Sequence, residues 1–330
     1  MAKDIIDRGA VAKLGLILGV AGQDGAYLAE LLLSKGYEVA GVCRQGPSRS
    51  GTYRLESLGI LKNISLFQFD ASDNTALERC IRTTEPDEIY NLAGISSVAR
   101  SFLDPALVVN GNTEITRNCL EIIRKTCPSV RYYNAASSEC FGDTGESAAT
   151  EATGFAPVSP YAAAKASDYF LTQVYRRAFG LFCSSGILFN HESPLRGEAF
   201  VTKKIILGAS EIAAGRRDFV ELGNMDIQRD WGWAPEYVEA IHRIVQHDEP
   251  DDFVVASGTT TSLAKFVEIV FSRLGLNWQN HVRINPDLIR AGEIQKSWGQ
   301  PEKARKKLGW SATYTVDDII SEMIGNLANR

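Results

Sequence analysis

The sequence is poor in the features that would take it out of the ordinary run of globular chains. No apolar run approaches the ~18–20 residues that a membrane helix needs, so no membrane association is expected. Only six cysteines occur in 330 residues (Cys43, Cys80, Cys119, Cys127, Cys140 and Cys183), scattered and with no C-x-x-C pair. Such spacing argues against a zinc site or a disulfide framework and points to buried thiols in a reducing compartment. No metal is expected, and the cytoplasm is the expected location. Positive charge is not in excess: 35 Lys and Arg against 40 Asp and Glu leave −5, which argues against a general nucleic-acid binder. The opening MAKDIIDRGAVAK lacks a signal peptide's long apolar centre and reads as a short leading extension. Repeats and low-complexity stretches are missing too.

What is present is a composition of 45% hydrophobic and 23% charged residues, enough for one large α/β unit or two closely connected domains. The first half alternates apolar runs with helical patterns. LGLIL (14–18), YEVAGVC (37–43), ISLFQF (64–69), EIYNLA (88–93), VRYYNAA (130–136) and LFCSSGILF (181–189) read as strands. Between them, Leu28, Leu31 and Leu32, then Leu77, Cys80 and Ile81, then Ile115, Cys119, Ile122 and Ile123 fall at helical spacing. Ser159-Pro160 predicts the start of a further helix running to about Phe179. Near-continuous apolar strands alternating with helices predict a doubly wound parallel α/β sheet of Rossmann type. After Asn190 the pattern blurs, with strand pieces at 219–223 and 252–258. The expected division is a dinucleotide-binding domain over 1–188 with a return segment near 226–260. A smaller, partly interleaved substrate domain would take 189–225 and 261–330.

Gly19-Val20-Ala21-Gly22-Gln23-Asp24-Gly25 lies between the first strand and the first helix. Gly19 can supply the tight turn, Gly22 admits a pyrophosphate close to backbone, and Gly25 permits close helix–strand packing. The helix N-terminus then offers free N–H groups to the phosphates. At the end of the second strand, where an NAD enzyme would place a carboxylate, the chain has Cys43-Arg44, followed by Arg49 and Arg54. Cations there suit the 2′-phosphate of NADP; the plainer reading of Arg44 is a solvated loop cation.

Tyr161-Ala162-Ala163-Ala164-Lys165 puts a phenol and an ammonium on one helix face, four residues apart. An unperturbed tyrosine titrates about 3 units above neutrality, which is about 4 kcal/mol. One cation about 4 Å away at an effective dielectric of ~20 supplies about that much. Lys165, with an oxidised nicotinamide, can therefore make Tyr161 a general base. Ser137-Ser138-Glu139 follows the strand 130–136, at the carboxyl end where open α/β sheets place their chemistry. Ser137 can bond a substrate hydroxyl beside Tyr161. Glu139 says more, because a simple dehydrogenase needs no extra carboxylate, whereas removal of a proton next to a new ketone does.

With these residues in view, the chain resembles the extended short-chain dehydrogenase/reductase family, and within it the GDP-mannose 4,6-dehydratases. The similarity runs from about Leu16 to Ile324. It is carried by GVAGQDGAYLAELLLSKGYEV (19–39), PDEIYNLAG (86–94), SSE (137–139), SPYAAAK (159–165), GILFNHESPLRGEAFVTKKI (186–205), RDWGWAPEYVEA (229–240) and KARKKLGW (303–310). The resemblance implies an internal redox cycle with NADP on a nucleotide sugar, GDP-mannose in the first place. C4 is oxidised with Tyr161 as base, Glu139 removes the C5 proton as water leaves C6, and the hydride returns to C6. It further implies catalytic roles for Ser137, Glu139, Tyr161 and Lys165. Cofactor contacts would come from Gly19, Gly22, Gln23, Asp24, Gly25, Arg44, Asp70, Leu92, Ser96, Tyr161, Lys165, His191 and Arg196. Sugar-nucleotide contacts would come from Ser138, Asn190, Lys204, Arg229, Arg290 and Glu293, and the assembly would be a homodimer or homotetramer. Trp231 and Trp233 are expected to pack at the domain junction, and Lys303, Arg305, Lys306 and Lys307 to form a solvated helix face.

The chain departs from the family pattern at several points. Ser137 replaces a threonine, Arg44-Gln45 an arginine pair, and Ile95 a glutamine. Val158 stands where an arginine is usual, and Arg290-Ala291-Gly292-Glu293-Ile294-Gln295 lacks the proline and aspartate of R-P-x-E-V-D. Two other readings take up part of the same evidence. A reductase or epimerase of a related nucleotide sugar would keep Tyr161 and Lys165 but have little use for Glu139. A non-catalytic NADP-binding protein could lose all three, and none is lost.

Overall fold

The computed structural model describes residues 12–44 and 51–328. Gln45, Arg49 and the first eleven residues of the leading extension lie outside the described residues. The first half runs β1 (Leu14–Leu18), α1 (Gln23–Ser34), β2 (Glu38–Cys43), α2 (Tyr53–Ser57), β3 (Ile64–Gln68), α3 (Asn74–Thr84) and β4 (Glu88–Asn91). It continues through α4 (Val98–Leu103), α5 (Pro105–Thr126), β5 (Arg131–Ser137), α6 (Pro160–Phe179) and β6 (Cys183–Leu188). Local chemistry sets several of these boundaries. Asp73 accepts from the N–H groups of Thr75 and Ala76 at the head of α3, and Asp104 from Leu107 ahead of Pro105. Ser159 accepts from Ala162 N–H ahead of Pro160, and α6 ends on Gly180 at a φ of +66° that glycine adopts freely.

The second half contributes β7 (Asn190–Glu192), α7 (Val201–Ala213), β8 (Val220–Leu222), β9 (Gln228–Arg229) and β10 (Trp231–Trp233). After these come α8 (Ala234–Gln246), β11 (Asp252–Val255), β12 (Thr261–Ser262), α9 (Leu263–Arg273) and β13 (Val282–Ile284). The last elements are β14 (Lys296–Ser297), α10 (Glu302–Leu308) and α11 (Val316–Ala328).

Seven strands form one parallel sheet in the order β3-β2-β1-β4-β5-β6-β11. Both faces are covered, as a parallel sheet requires. Leu28 and Leu32 of α1 and Tyr237, Val238 and Ile241 of α8 fill one side. Leu77 and Ile81 of α3 and Ile115, Cys119 and Ile123 of α5 fill the other. The doubly wound architecture predicted from the apolar runs is therefore present, and all six predicted strands of the first half belong to this sheet. The run 181–189 divides differently from expectation: β6 ends at Leu188 and the chain leaves the sheet to pair β7 with β10. Strand order reverses between β1 and β4, and the crevice above their carboxyl ends is where such sheets hold ligands.

Apart from the sheet, Ile205 and Ile206 of α7, Phe266 and Phe271 of α9 and Ile319 and Met323 of α11 pack with Trp231 and Trp233 in a second core. Both tryptophans are buried, Trp233 stacked on Tyr314 at 5.2 Å. The chain returns to the sheet twice. The first return is α8 with β11; the second is α10 and Trp310, whose Nε1 donates to Glu236 O at 2.9 Å. The basic run on α10 is accordingly more than a solvated face, since Lys303 and Lys307 both bind Asp251, at 2.7 and 3.0 Å. Phe266 is fully buried at the centre of the second core, so Phe266→Ala is expected to cost about 3–5 kcal/mol of stability, read from urea unfolding.

Candidate active site

The turn after β1 shows what each glycine is for. Gly19 has φ +84°, and a Cβ there would lie 2.9 Å from Leu92 O, in the turn beyond β4. A Cβ on Gly25 would meet Gly19 O at 2.3 Å and Val20 Cα at 2.7 Å, so only glycine lets α1 sit this close to β1. Gly22 begins α1 with no side-chain cap, leaving the first-turn N–H groups open to a ligand. Gly19, Gly22, Gln23, Asp24 and Gly25 all line a cleft of about 460 Å³ above the sheet. An adjoining hollow of about 390 Å³ shares Gly19, Gly22 and Leu92 and extends to Arg44 and Asp70. A glycine cradle at a helix N-terminus, opening at the strand-order reversal, has the donors and the clearance that a dinucleotide needs.

The side chains of Gln23 and Asp24 are tied to the far half of the chain. Gln23 Nε2 donates to His191 O at 3.2 Å, and Ser193 Oγ donates to Gln23 Oε1 at 2.8 Å. Asp24 Oδ2 meets His191 Nε2 at 2.9 Å, while His191 Nδ1 faces Phe189 O at 2.7 Å. Both ring nitrogens face oxygens that only accept, so His191 carries two protons and a positive charge. Burial alone would push the His191 imidazole down, but the Asp24 carboxylate outweighs it and the net shift is upward. Asp24, which burial would push up, is held at about 2 by His191, with help from Gln23 and Arg196. Arg54 makes a second tie, from Nε to Leu195 O at 2.8 Å and from Nη1 to Ala21 O at 3.1 Å. Arg196 pairs with Glu192 at 3.1 Å and lies over the Phe200 ring at 3.7 Å.

At the carboxyl end of β5 the backbone turns through Ser137, Ser138 and Glu139, and Glu139 N–H donates to Ser137 Oγ at 3.3 Å. Opposite stands α6, whose first turns carry Tyr161 and Lys165, both largely buried and both facing the cleft. Burial pushes the Tyr161 phenol well above its usual range, and a hydrogen bond from the Ser137 hydroxyl works against that shift. Lys165 Nζ donates to Ala135 O at 3.0 Å, which anchors the ammonium on β5. Glu139 is half-buried; desolvation raises its carboxyl and the guanidinium groups of Arg229 and Arg290 partly offset the rise. Arg229 stands 3.6 Å from Glu293, and their side chains are both nearly buried.

The cleft thus brings together Ser137, Ser138, Glu139, Tyr161, Lys165, Asn190, His191, Arg196, Arg229 and Arg290 with Leu92 and Ser96 from the turn after β4. Arg44 and Asp70 line the adjoining hollow. The Ser72 backbone N–H, at 3.0 Å, is the main influence holding the Asp70 carboxyl low. Two of the residues expected at the sugar-nucleotide end do not line the cleft. Lys204 points away along α7 and donates to Glu221 O at 2.8 Å, and Glu293 stands behind Arg229. Ser193 and Glu192, which hold Gln23 and Arg196, were missed by sequence reasoning. Their partners lie far off along the chain or carry no local pattern, and the NHESPLRG stretch was the only pointer to them.

In its fold the chain is similar to the solved structure of a dTDP-glucose 4,6-dehydratase. The crystal structure of a dTDP-glucose 4,6-dehydratase from Streptomyces venezuelae with NAD bound superposes with a TM-score of 0.86, over 96% of this chain and 97% of that one, at 20% identity. At the level of sequence, a family model described as GDP-mannose 4,6 dehydratase matches residues 16–323. A GDP-mannose 4,6-dehydratase of Sinorhizobium fredii is 42% identical over 94% of this chain and 95% of its own length. GDP-mannose 4,6 dehydratase 2 of Caenorhabditis elegans is 41% identical over 95% of this chain and 88% of its own. This chain belongs to the GDP-mannose 4,6 dehydratase family.

The Asp24–His191 pair, its imidazole buried and its carboxylate partly so, sets a pH window for stability. The Asp24 contribution is complete above its unfolded value of 3.8 and fades as pH falls toward about 2. The His191 contribution is complete below its unfolded value of 6.5 and fades as pH rises through the raised folded value. The stability difference between the wild-type chain and Asp24→Asn, followed by denaturant unfolding across pH, should be largest between about pH 4 and 6.5 and shrink on both sides.

Proposed function

We propose that this chain dehydrates GDP-mannose to GDP-4-keto-6-deoxymannose with NADP as a returning cofactor. The observation that carries the reading is the joining, in one cleft, of a dinucleotide cradle, a Tyr–Lys pair with its serine, and a carboxylate beside two arginines. NADP is favoured over NAD by Arg44 and Arg54, which line the hollow next to Asp70 where a ribose-binding carboxylate would otherwise follow β2. Bound NADP supplies acceptance of the C4 hydride and its return to C6.

The chain's own residues handle the protons. Tyr161 takes the C4 hydroxyl proton, oriented by Ser137, and Lys165 holds positive charge beside the phenolate. Glu139 takes the C5 proton once the C4 ketone has acidified it. The C6 hydroxyl needs one proton to leave as water, and C5 needs one back after hydride return. Two protons come off and two go back, so the site closes its balance without outside acid or base. A carboxyl raised by desolvation suits this duty, because Glu139 must hold its proton until the hydroxyl leaves. Asn190, Arg229 and Arg290 would face the sugar and diphosphate, with Glu293 holding Arg229 in place. His191 and Arg196 would lie along the nicotinamide end, and Leu92 and Ser96 along the middle of the dinucleotide. We also assign the division into a cofactor domain over 1–188 with its return segment and a substrate domain in the remainder. The enzyme would work in the cytoplasm as a homodimer or homotetramer.

The test is incubation with GDP-mannose and a catalytic amount of NADP⁺, followed by mass analysis of the sugar nucleotide. Loss of one water with no net NADPH is expected; stoichiometric cofactor consumption would point to a reductase, and no conversion to a non-catalytic binder. Glu139→Gln should lose product at least a hundredfold yet still show transient reduction of the cofactor. Tyr161→Phe should show neither.

A further inference from the structure

Behind Lys165, on the side away from the cleft, lies a buried polar layer that the proposed mechanism does not use. Asn91, Asn134 and Ser185 are register neighbours across β4, β5 and β6, so their side chains form one transverse row on the sheet face under α5 and α6. Asn91 Nδ2 donates to Thr116 Oγ1 of α5 at 3.2 Å and to the Tyr132 hydroxyl at 3.0 Å. Asp168 of α6 lies against the Thr116 hydroxyl and is only 1% exposed. One of its carboxylate oxygens has no protein partner, and the same holds for the Asn134 amide, Asn91 Oδ1, Thr113 Oγ1 and Ser185 Oγ. Unpaired buried polar atoms of this kind are groups that proteins commonly satisfy with internal water.

Lys165 is itself 8% exposed, and its one hydrogen bond is to a neutral carbonyl. A buried ammonium on a single neutral partner loses its proton readily unless a negative charge stands near. Asp168 follows it by three residues on the same helix, hence on the same face, and acts on it electrostatically without closing a direct ion pair. Facing Asp168 are Tyr132 of β5 and Cys140 in the turn after β5, with Cys119 of α5 and Cys183 of β6 against Tyr132. Burial raises all four, Cys140 and Cys183 to about 12, so they stay neutral where the enzyme would work. Asp252, the register neighbour of Ser185 on β11, is paired with Arg176, which leaves Asp168 to balance the lysine; burial pushes its carboxyl up to about 6 against the pull of Lys165.

We propose that Asp168 is a positioning residue for the reaction, the counter-ion that keeps Lys165 charged beside Tyr161 from behind the active site. This rests on the role assigned to Lys165 above, so the test includes a readout that needs no turnover. In protein carrying ¹⁵N at lysine Nζ, with the Lys165 signal assigned by its loss in Lys165→Met, Asp168→Asn is expected to lower the Lys165 titration midpoint by about one pH unit, a tenfold change in the ratio of charged to neutral lysine. The alkaline limb of kcat should move down with it, with KM for the sugar nucleotide within about twofold. An unmoved midpoint, or a loss of kcat equal at every pH, would overturn the proposal. Should Asp168→Asn fail to fold, Asp168→Ser, also neutral and smaller, serves in its place; the same downward shift is expected, and no shift would overturn the proposal. If the midpoint moves while neither protein shows dehydratase activity, the function assigned to the cleft fails and the counter-ion relation stands.

Discussion

The molecule depends on a clasp between the first turn of its first helix and the strand that opens its second half. Gln23 and Asp24 are bound by His191 and Ser193, across 167 to 170 residues of chain. At its centre is a largely buried charge pair, which is expensive to desolvate and of modest net value to stability. What it contributes is geometry. The charged His191 accepts only one arrangement of carbonyl and carboxylate around it, so β7 is fixed relative to the glycine turn. The ring also packs at a tilt against Tyr237, 4.6 Å between centres, bringing α8 into the same fixture. Asn190, Glu192 and Arg196 follow from that strand, and the far wall of the cleft is thereby set by contacts at the cofactor end.

A second constraint meets the first at β5. Its carboxyl end must present Ser137 and Glu139 to the cleft while its buried face carries Tyr132 and Asn134 toward the helices. Strand alternation makes these demands compatible, and a one-residue slip would reverse them. Lys165 links the two sides: its stem crosses the layer between α6 and β5, and its head bonds to the backbone of the strand that leads into the Ser137–Glu139 turn. Tyr161 belongs to the same helix, so the phenol and the serine are placed by elements whose contacts lie mostly outside the cleft. Rigid placement of this kind is what proton transfer over short distances requires.

The sequence announced features whose causes are local. α6 begins where Ser159-Pro160 predicts and ends at Phe179 as expected, because a cap and a left-handed Gly180 act within a turn of themselves. The parallel strands were visible because burial on both faces leaves continuous apolar runs. Strands of two or three residues such as β9 and β12 carry no period to read, and α2 and α4 are too short to show a stripe. The site divides along the same line. The glycine turn, the Tyr–Lys pair and Glu139 sit in short motifs, and the cleft unites them. Lys204 was placed at the substrate by its motif alone, and only the fold reveals that its side chain turns to the Glu221 carbonyl. Asp168 escaped notice because a single acid in a helix looks like a solvated one until its neighbours are known.

The fold also gathers departures from the family pattern that the sequence scatters. Val158, where an arginine is usual, precedes α6, and the altered segment 290–295 lies more than 130 residues further on. In space they touch. A Cβ built on Gly292 would come within 2.8 Å of Val158 O, and Gly292 has φ +65°, a conformation that strains any side chain. Glycine there allows the two backbones to meet at the cleft's outer rim. Gln295, in place of an aspartate, donates its backbone N–H to Asp143 at 2.8 Å and receives Asn224 on its side chain at 3.3 Å. An aspartate at 295 would put a second carboxylate beside Asp143, and the neutral amide avoids that repulsion. Val158 and the segment 290–295 therefore form one local rearrangement of the rim, next to Arg290, while Glu139 and Tyr161 beneath it keep the family pattern and Ser137 keeps the hydroxyl of the threonine it replaces. Recognition can drift in this way without touching the proton-transfer groups, because the rim is a loop packed on a loop and the floor is a strand packed under a helix.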